Sequence, residues 1–145
     1  MVQDHGLGEH FSMIQESFPN IPVAGILLKI DPNVTEKMDS LLQKIQKDNI
    51  PTLVIASVDF SHHVPEAIAR FHDAKTYDFL ADNTSKNDLE VDCPNCLVIV
   101  KNMAHAYGQK SFRLYKRTSV DSVLHIKSLY ENTSHMFGYF TNKPE

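Results

Sequence analysis

The stretch VIASVDFSHH, Val54–His63, decides how this chain is read. With Leu53 in front of it, it starts as the aliphatic and β-branched run a buried strand would use, and Asn49 and Pro51 mark the entry. The apolar pattern then gives way to Asp59, Ser61, His62 and His63, and Pro65 opens a helix. In open α/β sheets, ligands bind outside the carboxyl ends of the strands. An Asp with a His one helical turn later, at such a strand end, is placed to meet a substrate or a metal. The plainer reading is that Asp59 or Ser61 only caps the next helix. The stretch alone leaves both readings open.

Upstream, Val23–Ile30 is a nearly continuous apolar run of strand length, the kind that suits a sheet covered on both faces. Between the two runs, Asp31-Pro32-Asn33 opens a helix reaching about Asp48. Its Val34, Met38, Leu41, Leu42 and Ile45 fall on one stripe. Strand, helix, strand in that order predicts a parallel pair with a right-handed crossover. Before them, Leu7–Phe18 reads as a short helix ended by Pro19-Asn20.

Downstream, a second long helix is predicted from Pro65 to about Ala81, followed by a polar loop over Asp82–Asp92. Cys93-Pro94-Asn95-Cys96 then opens a third, in which Cys96, Ile99, Val100, Met103 and Tyr107 repeat at helical spacing. Gly108 stands where a C′ residue belongs. Ser111–Thr118 and Ser134–Phe140 read as closing strands. The expected fold class is α/β, a mostly parallel sheet with helices on its faces.

The 145 residues fit one domain able to bury a real core, and the composition is that of an ordinary globular protein. A formal charge of −4 argues against a dedicated nucleic-acid binder. No apolar run approaches the ~20 residues of a membrane span. The start shows no basic region followed by an apolar one, and two Cys are too few for a disulfide scaffold. A reducing, cytoplasmic setting is the expectation.

Four clusters could carry chemistry: Asp4/His5 with His10, Asp59 with His62 and His63, Asp73, and Cys93/Cys96. Imidazole, carboxylate and thiolate together suit a transition metal such as zinc, iron or copper. His72, His105, His125 and His135 are read as structural. If Cys93 caps its helix, the positive end of the dipole favours its thiolate, for redox exchange or for metal binding. Against this stands the place of Cys96 in the apolar stripe, which reads as core packing. The late position of the CxxC also departs from a thioredoxin-like order.

These clusters resemble, in order and surroundings, the Memo family, whose bacterial and archaeal members are called AmmeMemoRadiSam system protein B. Asp4-His5-Gly6-Leu7 with His10-Phe11 is similar to the family's (D/E)HS(I/L)E-x-(H/Q)LP segment, and Val54–His62 to its SSDFSH strand end. Asp73 falls where the family has a helical Asp, and Cys93 where its CG-x-x-PI helix begins. Tyr115–Ser119 resembles its Y-x-x-S strand, and SHMFGYF its closing SVVGYA strand.

The resemblance implies a fold like the class III extradiol dioxygenases, which use non-haem iron. It covers nearly all of this chain but only the later part of the family's fold. Residues 1–145 are thus expected to form a single Memo-like domain without the N-terminal strands and the first metal-binding His. His5 and Cys93 would ligate iron or copper, with zinc also compatible. His62, oriented by Asp59, would move the proton, since imidazole titrates near neutral pH.

A third ligand would come from Asp59, His10 or another polypeptide. The implied partners are a small-molecule or peptide substrate and a radical-SAM enzyme. A sheet edge left open also implies a partner chain or self-association. Three functional classes follow: a metal-dependent oxidoreductase, a non-catalytic binding module with an incomplete metal site, and a thiol redox protein using Cys93 and Cys96.

Overall fold

The computed structural model describes residues 5–29, 31, 33–84, 89–127 and 130–143. Asp4, Ile30 and Pro32, which enter the expectations above, lie outside the described residues. The elements in chain order are α1 (His5–Ser17), α2 (Val34–Lys47), α3 (Glu66–Leu80), α4 (Pro94–Ala106), β1 (Ser111–Ser119), α5 (Val120–Leu124) and β2 (Ser134–Thr141). Among the described residues no helix is long and apolar enough to cross a membrane.

The expected mostly parallel sheet is not there. The described strands form one two-stranded sheet, β1 against β2, and it is antiparallel. Neither 22–29 nor 51–60 is a strand, and no ladder joins them. The physical reason lies in how their apolar residues are covered. Val54, Ala56, Val58 and Phe60 are half-buried while Leu53, Ile55, Ser57 and Asp59 are exposed, so the segment is covered along one side only. Leu53 is 73% exposed and Ile55 59%. Apolar content made both runs look like strands covered twice. It could not tell whether a neighbouring strand was there to pair with them.

The one-sided cover comes from two cores. Leu42 of α2 packs with Ile99 and Met103 of α4, and Leu28, Met38, Ile45 and Val54 close around them. The α2 stripe expected from its spacing therefore meets α4 and the inner side of both extended segments. The second core joins Phe79 and Leu80 of α3 to Leu97 of α4, under Val58, Phe112, Met136 and Phe140. Full burial of such a side chain contributes about 1.5–3 kcal/mol.

The hairpin register pairs Phe112 with Phe140 and Ser119 with Ser134, with an irregularity between Leu114 and Lys116 that leaves Tyr115 without a cross-strand partner and 81% exposed. Opposite Leu114, Gly138 is close to the other strand. A Cβ there would collide with the Phe112 ring and stand 2.8 Å from the Arg113 carbonyl. At the end of α4, Gly108 takes φ +75° and donates to the His105 carbonyl, as a C′ glycine does. Between β1 and β2, Ser119 and Ser122 form a reciprocal capping box that starts α5.

Candidate functional site

The end of the Val54–His63 stretch is fixed by other elements. Ser61 N–H donates to Ser134 Oγ at 3.1 Å, and Ser134 N–H donates to the Ser61 carbonyl at 3.0 Å. An isolated antiparallel bridge joins His62 to Thr133. The segment is thus stitched to the start of β2. On its other side, Asp59 N–H donates to Asp92 Oδ1 at 2.9 Å, and Asp92 N–H donates to the Asp59 carbonyl at 3.1 Å. Asp92 directly precedes Cys93, so the end of this extended segment and the CxxC turn are held together.

On this frame His62 Nε2 lies 3.0 Å from Asp59 Oδ2. The two residues singled out together from the sequence thus lie in contact. The His62 ring also approaches Thr133 Oγ1 with Nδ1 at 3.5 Å, the limit of a hydrogen bond. Both side chains are open to solvent, 37% for His62 and 65% for Asp59, so the contact orients the ring rather than stabilising the fold. His63 takes φ 52° and is exposed.

Beside the pair is an open pocket of about 340 Å³. Its polar wall is Ser61, His62, His72, Glu90 and Asp92, and its apolar wall is Phe60, Val64, Leu89 and Val91. Ser61 is buried, with its Oγ 3.2 Å from His72 Nδ1. His72, read from the sequence as structural, is thus part of the pocket wall.

Beneath the pocket runs a polar network that sequence reasoning saw only at Asp73. Asp73 is buried and accepts from Ser134 Oγ at 2.8 Å and from Arg117 Nε at 2.7 Å. Arg117 Nη1 reaches Glu66 Oε1 at 2.7 Å, and Asn132 Nδ2 donates to Glu66 Oε2 at 2.8 Å. Burial alone would raise the Glu66 pKa, but hydrogen bonds from Arg117, Ser119 and Asn132 outweigh it and hold the carboxyl at about 2. Burial likewise opposes the Arg117 charge, yet Glu66 and Asp73 hold its pKa above the ordinary value. Asp73 is therefore an anchor that sets Ser134, and through it Ser61. Arg117 and Ser119 carried no such signal: plain alternation puts them opposite Phe112 and Leu114, and the irregularity between Leu114 and Lys116 turns them inward.

The expected metal residues are placed differently. His5 lies at the start of α1, a helix with no buried residue; its side chain is 96% exposed and its Nδ1 is 3.5 Å from Glu9. Cys93 is the N-cap of α4, and its Sγ is bonded to Cys96. The apolar stripe of α4 runs through Leu97, Ile99, Met103 and Ala104, with Cys96 only half-buried beside it. Among the described residues no three His, Cys, Asp or Glu side chains gather as a metal would require. A disulfide sulfur is not a thiolate ligand, so the described residues do not fit a bound iron, copper or zinc.

Comparisons with protein-family models, with curated proteins and with solved structures each return no match. The likeness to the Memo family rests on the motifs quoted above.

Proposed function

We propose that this chain is a Memo-like protein, of the AmmeMemoRadiSam system protein B kind, in which the family's metal centre is incomplete. Its retained cleft binds a small-molecule or peptide ligand and has Asp59–His62 as its proton-handling pair. The observation that carries this reading is the 3.0 Å contact between Asp59 Oδ2 and Nε2 of His62, a residue that lines the pocket. A carboxylate on one ring nitrogen fixes the imidazole's orientation. A ligand hydroxyl reaching the other side of the ring would then meet Nδ1, which can take its proton and return it.

Metal-dependent oxidoreductase chemistry, with His5 and Cys93 as ligands to iron or copper, would need Cys93 freed from Cys96 and further donors. A radical-SAM enzyme belongs to the proposal as the partner that the family resemblance implies. Leu53 and Ile55 in one extended segment and Ile26 and Leu27 in the other are all exposed, which supports a covering partner chain or a second copy.

The test is ligand binding by the metal-free protein. A panel of small carboxylates, catechols and short peptides is screened by chemical-shift perturbation, with His62→Ala as the control. Binding that perturbs 59–64 and 89–92 in the wild type and is lost in the variant supports the reading. A hit that appears only after iron or copper is added would instead restore the metal-dependent enzyme.

A further inference from the structure

We propose that Cys93-Pro94-Asn95-Cys96 is a thiol–disulfide exchange site whose substrates are disulfide-bonded peptides with an apolar residue beside the cysteine. The inference goes beyond the cleft reading and stands without it. Its basis is the placement of two sulfurs on one helix start. Cys93 caps α4, Pro94 takes the first helical position, and Cys96 sits at the third.

The Cys96 N–H donates to Cys93 Sγ at 3.2 Å, and the Cα atoms of the two cysteines are 5.3 Å apart. That N–H, which the Cys93 carbonyl shares at 3.0 Å, and the positive dipole end of a 13-residue helix favour negative charge on the Cys93 sulfur. The Cys93–Cys96 bond is the second and independent observation, since it shows the resolving sulfur within reach of the attacking one. Both residues are half-buried rather than sealed in the core. The neighbouring pocket ends at Asp92, and its Leu89 and Val91 wall would receive the apolar residue of the peptide.

The chemistry balances. In the reduced protein the Cys93 thiolate attacks one sulfur of the substrate disulfide. A Cys93–substrate bond forms as the substrate S–S bond breaks, and one substrate thiol leaves after protonation by solvent. The Cys96 thiolate then attacks Cys93 Sγ, which re-forms the intramolecular disulfide and releases the second substrate thiol. Two electrons and two protons pass from the dithiol to the substrate, and an external dithiol restores the reduced pair.

The experiment uses insulin as the disulfide-bonded peptide, with dithiothreitol as reductant. The wild type is expected to accelerate insulin reduction by about tenfold over dithiothreitol alone, and Cys93→Ser and Cys96→Ser to remove the acceleration. Cys96→Ser should also trap a mixed disulfide with oxidised glutathione on Cys93, read by mass spectrometry, and Cys93→Ser should trap none.

No acceleration by a folded wild type overturns the proposal. So does a wild-type disulfide that dithiothreitol cannot open without unfolding the chain, which would make the bond structural. Both readouts are on the wild type, so the test holds even if a variant fails to fold. Ligand binding in the cleft is read separately and can fail or succeed on its own.

Discussion

The Asp59 main-chain N–H donates to the Asp92 carboxylate at 2.9 Å, and the Asp92 N–H returns to the Asp59 carbonyl at 3.1 Å. Two hydrogen bonds thus join the segment that carries His62 to the residue before Cys93. The Asp59–His62 pair and the Cys93–Cys96 turn share one frame, although 33 positions separate Asp59 from Asp92. Asp92→Ala should loosen both ends of it. The expected result is faster amide exchange at 59–62 and at the start of α4, with global stability lowered by about 1–2 kcal/mol. Unchanged exchange at both places would show that the frame is held by β2 alone.

Removing Arg117 should be far more damaging than removing His62. Arg117→Ala leaves the Asp73 carboxylate buried with one partner fewer, and Glu66 loses its strongest donor. The expected loss is about 3–5 kcal/mol in urea unfolding. His62→Ala breaks only a solvent-exposed contact and should cost under about 1 kcal/mol. The separation matters because it lets His62 be removed from the cleft while the fold persists.

Glu66 makes stability depend on acid. Its folded-state pKa is about 2 against an ordinary value of 4.5, so its carboxylate stabilises the fold above about pH 4.5. That contribution is lost as the pH falls from about 4.5 through 2, where the folded protein too takes up the proton. Allowing for partial exposure and solvent screening, the expected loss is about 1–2 kcal/mol. Urea melts at about pH 6 and pH 3 should show it in the wild type, and Glu66→Gln should lack this component.

How much of this was legible in the sequence depended on whether the signal was local. The four long helices follow from apolar spacing, Pro at helix starts and Gly108 at a helix end, all of which lie within a single element. The pairing of Asp59 with His62 is also local. The sheet was not legible, because pairing is a property of two segments. VAGILLKI and LVIAS have the composition of strands, and nothing in either says that no partner strand adjoins it. The α5 turn was missed because its capping box uses Ser122 in the place where Glu or Gln is the usual signal. Glu66, Asp73, Arg117 and Asn132 come from three distant parts of the chain, and only Asp73 carried a hint.

Gly138 tests the hairpin that holds Ser134 in place. Gly138→Ala puts a methyl group against Phe112 and the Arg113 carbonyl, where backbone cannot give way cheaply. The expected cost is about 1–3 kcal/mol, read by thermal unfolding. A neutral result would mean that the Phe112 ring swings aside and that the strands have room to part.

The most direct test of the central claim, an incomplete metal centre beside a working cleft, is metal content. Protein purified without chelators and with its disulfide intact is compared with a His5→Ala/Cys93→Ala double variant by elemental analysis. The expected result is only traces of iron, copper and zinc in both, with ligand binding at the His62 pocket retained. Near-stoichiometric metal in the wild type, lost in a folded double variant, would contradict the account and make this chain a metalloprotein.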